Sequence, residues 1–441
     1  MEESFIRVEH LRIIRNQTLS YRLTMSKGNQ KYFQSNHFYV KFPEEVHDVS
    51  PSILYIPVIS GIICVAWTIG ADIYVEELDK TYLESLNKIG LIMKPWYPQL
   101  PFTTKIHVAN IAENKFHNKG YSLLFSGGVD SLTSFFRHKH KNPRLIMIWG
   151  AENPPYIPGI KAKMEKQFQD FLDKENFKLN FINTNSRAVR NEKYLGAKFG
   201  RYLTDFSWWG SMDHSIVLTG LCAPMTVNHS GTVLFPSTFT KEFNYPWGSY
   251  PFIDNKISWG DVNVLHDGYE FSRQEKVRYL SNYMRESGRF LPLRVCWTPR
   301  ARAPKNELNC SRCEKCVNAM TGLMLENINP NCCGFSQGDD FFKYLKKKVS
   351  MHDRGKHDIF MWEDIQRNIP ESMTSDLCKH KGFCEWLKTF DVAVTERARN
   401  INILMRCFLL MYYRLPRNTQ NEVSKHRDSL RPLRKLVFLS S

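Results

Sequence analysis

The hexapeptide Ser126-Gly127-Gly128-Val129-Asp130-Ser131 constrains this chain more than any other feature. It joins an apolar run, YSLLF at 121–125, directly to the amphipathic stretch SLTSFFRHK at 131–139. A strand that passes at once into a helix through two glycines makes a tight turn with unobstructed N–H groups. The helix N-terminus adds partial positive charge, so the pattern predicts a cradle for pyrophosphate. Ser126 and Ser131 can add hydroxyl donors. Asp130 would repel bare phosphate, so its expected roles are holding a magnesium ion or capping the helix. No lysine follows the glycines as in GxxxxGK[ST], which argues against a Walker-type γ-phosphate site.

Strand and helix signals then alternate: a strand at Arg144–Trp149, a helix at Gly159–Asn176, a strand at Lys178–Ile182, a helix at Ser211–Met225 and a strand at Thr232–Phe235. This order predicts an α/β fold, a parallel sheet with crossover helices, whose ligand site lies outside the carboxyl ends of the strands. Upstream the pattern is mixed, with an extended stretch at Lys31–Val40 and a helix at Asp79–Met93. The segment WYPQLP at 96–101 resists regular structure. Three regions are expected: an N-terminal accessory α+β domain (1–115), a nucleotide-binding domain with a cysteine cluster (116–334), and a basic helical extension (335–441).

The 441 residues are 42% hydrophobic, enough for more than one core. A formal charge of +16 points to anionic partners: nucleotides, nucleic acid or an acidic protein surface. Nucleic acid would meet the basic extension, with Lys346, Lys347 and Lys348 in one run and many arginines between Arg397 and Arg434. The start, MEESFIRVEHLRIIR, lacks the pattern of a secretory signal, and the cysteine usage suits a reducing compartment, so a cytoplasmic location is expected. The uncharged stretch Ile53–Ala71 is long enough for a thin bilayer. Ser50 and Pro51 before it, Pro57 and Gly61 inside it and Gly70 at its end predict instead a buried helix or strand pair, with no membrane span.

Cys310, Cys313 and Cys316 stand two residues apart in NCSRCEKC, with Cys296 upstream in LRVCW. Four thiolates enclose a tetrahedral zinc with no open position, so the expected site is structural, and Arg312 and Lys315 would offset part of its negative charge. Cys332 or Cys333 could replace Cys296 as fourth ligand, and an iron-sulfur cluster is the alternative to zinc.

Substrate contacts are sought near the carboxyl ends of the strands. Asp213 and His214 begin an apolar helix, where Asp213 is an N-cap or a substrate contact. Ser237 and Thr238 follow the strand Thr232–Phe235 as substrate or turn residues. Asp267 with Glu270, and Ser272 with Glu275, both fit a capping box. If Ser272 starts the helix, then His266, Asp267 and Glu270 are free on a loop, and a carboxylate there can pair with a guanidine-like edge. Arg273 and Lys276 share a helical face. Lys276 is a candidate to neutralise departing pyrophosphate, against the default of a surface lysine.

The glycine loop resembles the PP-loop of adenine nucleotide alpha hydrolase-like ATP pyrophosphatases. That likeness implies ATP with magnesium, pyrophosphate as leaving group, and adenine against the end of the second strand at Met147, Ile148 and Trp149, although Trp149 can equally be a core aromatic. A PP-loop followed by C and C-x-x-C-x-x-C resembles the QueC, or 7-cyano-7-deazaguanine synthase, family over residues 119–325. The resemblance implies adenylation of 7-carboxy-7-deazaguanine, attack by an amine and release of AMP. The chain departs from the family in the thirteen residues between Cys296 and Cys310 and in the segments Pro236–Asp254 and His266–Val277. Its enlarged plan resembles QueC-like proteins of anti-phage defence, the Qat and type IV CBASS groups, which implies a protein N-terminus as the amine and a protein partner. The alternatives are a tRNA-modifying PP-loop enzyme and a non-catalytic nucleotide-binding scaffold.

Overall fold

The computed structural model describes residues 3–151, 160–204, 207–296, 309–338, 340–351, 355–370, 381–392 and 411. The N-terminal stretch supplies strands β1 (Phe5–Ile14), β2 (Thr18–Met25), β3 (His37–Lys41), β4 (Asp72–Asp79) and β5 (Ile106–Ala112). The alternating region supplies β6 (Gly120–Leu124), β7 (Arg144–Trp149), β8 (Leu179–Thr184), β9 (Ser230–Pro236), β10 (Ser258–Trp259) and β11 (Val262–Asp267). All join one mixed, mostly parallel sheet in the order β10-β11-β9-β6-β7-β8-β3-β2-β1-β4-β5. The expected boundary near residue 115 thus falls between two strands of a single sheet.

The join is made by β3, which runs antiparallel to β8 through only Val40 opposite Thr184 and Lys41 opposite Asn183. Side chains strengthen it: Asn185 accepts from the Tyr39 N–H at 2.8 Å, and the Thr184 hydroxyl donates to the Tyr39 carbonyl at 2.8 Å. From β11 to β8 the five central strands are parallel. β7, with the sequence RLIMIW, is buried along almost its whole length, as a central strand covered on both faces must be.

The uncharged stretch forms a buried helix, Ile56–Ile69, after a four-residue helix at Pro51–Leu54, and ends on left-handed Gly70 (φ 66°). At 1.5 Å per residue it reaches only about 21 Å, short of a bilayer core of about 30 Å. No helix among the described residues is long and apolar enough to cross a membrane. The helix expected from Asp79 is Lys80–Met93, with Asp79 accepting from the Tyr82 N–H at 2.8 Å. The stretch Lys31–Val40 is not extended throughout: residues Lys27–Tyr32 form a 3-10 helix and only His37–Lys41 is strand.

By contact density the chain divides into two units, Met1–Glu192 with Tyr202–Phe271, and Lys193–Arg201 with Ser272–Ser441. The sheet and the glycine loop belong to the first. The second is helical, with helices Arg273–Ser287, Glu314–Leu325, Phe341–Met351, Lys356–Arg367 and Lys381–Thr389. Its helices are tied by buried polar contacts. Asp364 accepts from the Gln274 N–H at 2.7 Å, and the Gln274 side chain donates to the Gly322 carbonyl at 3.0 Å. The run Lys346 to Lys348 is not a uniformly solvated face, because Lys348 is buried beside Glu314 at 3.5 Å. The arginines between Arg397 and Arg434 lie outside the described residues.

Candidate nucleotide site and metal centre

Ser126 to Ser131 leave the carboxyl end of β6 and enter the helix Val129–His138. β6 lies between β7, reached by the helix that follows the loop, and β9, reached only after the chain has crossed to β8 and returned. In open α/β sheets such a reversal of winding marks the crevice at the carboxyl edge where ligands usually bind. Gly127 has φ 74°, and a Cβ there would stand 1.9 Å from Phe168 Cζ. The position requires glycine both for its backbone and for the ring packed against it.

Gly128 is the N-cap and brings no side-chain cap to the first turn. Ser126 and Ser131 brace the loop: the Ser131 hydroxyl lies 3.2 Å from the Ser126 hydroxyl and donates to the Gly128 carbonyl at 3.2 Å. Asp130 does not cap the helix. It sits half-buried in the first turn and accepts from the Thr238 hydroxyl, at 3.3 Å, across the crevice from the end of β9. Ser237 is buried, donating its hydroxyl to the Phe239 carbonyl at 2.6 Å and its N–H to the Asp267 carbonyl at 2.7 Å. Ile148 and Trp149 are both buried at the end of β7, which fits Trp149 as a core aromatic.

The substrate candidates separate into different roles. Ser272 and Glu275 form the capping box of the helix Arg273–Ser287. His266 and Asp267 are not free on a loop as expected, because the polar-apolar run Val262 to Leu265 continues through them as β11. Their side chains point to opposite faces of the sheet, as strand alternation demands. Asp267 accepts from Ser134 Oγ at 2.5 Å and Arg137 Nη1 at 3.2 Å, and meets His138 Nε2 at 2.8 Å. Burial raises its pKa, but the bonds and charges of His138, Ser134 and Arg137 outweigh that and hold it below the usual carboxylate value. This acid braces the helix after the glycine loop against β11, its oxygens spent on Ser134, Arg137 and His138. Exposed Glu270 pairs with Arg137.

Asp213 occupies the N-cap position of the helix His214–Thr226 without capping it, after a π-helical turn at Trp209–Asp213. It is fully buried and ion-paired with Arg190 Nη1 at 3.1 Å. Burial pushes its carboxyl up to about 6 against the opposing pull of Arg190. His214 lies edge-on to both Trp209 and Phe235 at 5.6 Å. Lys276 and Arg273 belong to the second unit, where Lys276 is buried, contrary to the surface default, and Arg273 is half-buried. Sequence reasoning missed Asp254, Ser134, Arg137 and His138. Their pairing with β11 spans up to 133 residues and leaves no local pattern.

In the second unit the Sγ atoms of Cys296, Cys310, Cys313 and Cys316 all lie within 4.8 Å of one another. Separations of 3.3, 3.8 and 3.9 Å among them compare with an edge of about 3.8 Å for a tetrahedron of 2.3 Å zinc-sulfur bonds. Cys313 is the N-cap of the helix Glu314–Leu325 and Cys316 lies in its first turn, while left-handed Ser311 (φ 55°) turns the knuckle. Asn309 fixes Cys296 beside it, accepting from the Val295 and Cys296 N–H groups at 3.0 and 3.2 Å. Cys333 instead contacts the Met284 sulfur and Cys332 is exposed, so Cys296 is the fourth donor. Four sulfurs at this spacing can hold a metal such as zinc. Arg312 stacks over Tyr344 at 5.1 Å.

No protein-family model, curated protein or solved structure matches the chain.

Proposed function

We propose that the chain is an ATP-dependent ligase of the PP-loop type. It converts a carboxylate into an acyl-adenylate with release of pyrophosphate, then passes the acyl group to an amine with release of AMP. The observation that carries this reading is the SGGVDS turn at the winding reversal of the sheet, with glycine enforced at 127, no side-chain cap at 128 and Asp130 bonded to Thr238, two residues past the end of β9. First-turn N–H groups bind the departing pyrophosphate, and Asp130 is positioned to hold magnesium rather than to cap. Catalysis rests on orienting ATP and carboxylate and on meeting charge as it develops on the leaving phosphates.

The carboxylate we assign is 7-carboxy-7-deazaguanine, on the resemblance to the QueC family, and the acceptor a protein N-terminus of an anti-phage system. The cysteine cluster is the structural zinc site of such an enzyme, closed to substrate because all four positions are taken by sulfur. Release of AMP and pyrophosphate from ATP, with and without the deazaguanine, in wild type and Asp130→Ala, tests the reading. AMP formation that tRNA stimulates and the deazaguanine does not would replace it with tRNA modification.

A further inference from the structure

Two strands from the glycine loop, on the same carboxyl edge of the sheet, a buried histidine is held in one tautomer with its far nitrogen unused. His266 Nδ1 lies 2.7 Å from Asp254 Oδ2. Asp254 is itself fully buried and also accepts from Ser249 Oγ at 2.8 Å and the Tyr250 N–H at 3.2 Å. A carboxylate so bonded makes Nδ1 the protonated nitrogen and leaves the Nε2 lone pair outward. No described residue hydrogen-bonds to Nε2, and it is not one of the buried unpaired atoms, so it belongs to the 3% of the side chain that meets solvent.

The placement suits chemistry at the crevice. His266 is in register with Phe235 of β9, and Ser237 and Thr238 follow two and three residues later. At about 4.8 Å per strand, β11 lies about 10 Å from β6. The titratable groups facing the imidazole are Asp254 and Tyr269, whose ring is 5.6 Å away and whose hydroxyl donates to Tyr250 at 3.1 Å. Across the same face His214 packs on Phe235. Exposed Phe252, beside Tyr250 at 5.4 Å, gives this rim an aromatic surface.

We infer that His266, oriented by Asp254, is the general base of the second half-reaction. The inference rests on the proposed adenylation. The amine nitrogen attacks the acyl carbon, the C–N bond forms, the bond from that carbon to the phosphate oxygen breaks and AMP leaves with its electron pair. The proton lost by nitrogen passes to His266 Nε2 and then to solvent. Asp254 is a positioning residue that fixes the tautomer.

The test separates the half-reactions in the full chain, using pyrophosphate–ATP exchange dependent on 7-carboxy-7-deazaguanine and AMP release with ammonium as the amine probe. His266→Asn should keep exchange within about threefold and lose amine-dependent AMP release by about a hundredfold or more, the usual contribution of a general base. Asp254→Asn should act in the same direction. Retained exchange shows the variants to be folded. Unchanged amine transfer in His266→Asn, or joint loss of exchange and transfer, overturns the assignment. Absence of exchange in wild type overturns the adenylation reading itself and the base with it.

Discussion

Replacing Gly127 with alanine tests whether the glycine turn is dictated by its surroundings. Its φ of 74° places an L-residue in the left-handed region, at about 1–2 kcal/mol. The new methyl group would meet Phe168 Cζ at 1.9 Å, and that ring is fully buried and packed edge-on to Phe125 at 5.7 Å, so it has no room to swing away. Overpacking of that kind adds about 1–3 kcal/mol, giving about 2–5 kcal/mol in all. Only the second part depends on the ring, so a cycle with Phe168→Leu should recover about 1–3 kcal/mol of coupling. Urea unfolding followed by tryptophan fluorescence reads both numbers. A loss below about 0.5 kcal/mol for Gly127→Ala, or an equal loss in both backgrounds, would refute the packing argument.

Two further outcomes follow from the buried groups. Metal analysis of purified protein should give about one zinc per chain, lost in Cys313→Ala and kept in Cys332→Ala and Cys333→Ala, because only the first removes a member of the tetrahedral set. Asp213, pushed up to about 6 by burial, binds its proton more tightly folded than unfolded. Its contribution to stability is therefore full below the unfolded value of about 3.9 and falls as pH rises through about 6. Asp213→Asn should flatten urea stability over that window, and an unchanged pH profile would contradict the shift.

The local signals that the sequence carries are those in which one element determines itself. SGGVDS between an apolar run and an amphipathic one shows a strand, a turn and a helix start without reference to the rest of the chain, and Arg144–Trp149 is a strand in both readings. Cys310, Cys313 and Cys316 are close in the chain, so their convergence is legible. Cys296 is the favoured fourth donor in the sequence, and the positions of Asn309 and Met284 agree with it over Cys333. The run V-N-V-L of β11 was masked by two successive capping-box patterns, Asp267 with Glu270 and Ser272 with Glu275, of which the box at Ser272 is the one that forms. That the first 112 residues share the sheet was not legible, since two residue pairs between β3 and β8 make the junction. Asp254 with His266, and Asp267 with Ser134, Arg137 and His138, exist only once strands and helices are packed.

The central claim is most directly tested by measuring AMP and pyrophosphate released from ATP, with and without 7-carboxy-7-deazaguanine, by wild type and Asp130→Ala. The account predicts release in wild type that requires the deazaguanine, reduced by about a hundredfold or more in the variant, as expected for loss of charge stabilisation at the leaving group. Release that ignores the deazaguanine, or that survives Asp130→Ala unchanged, would contradict it.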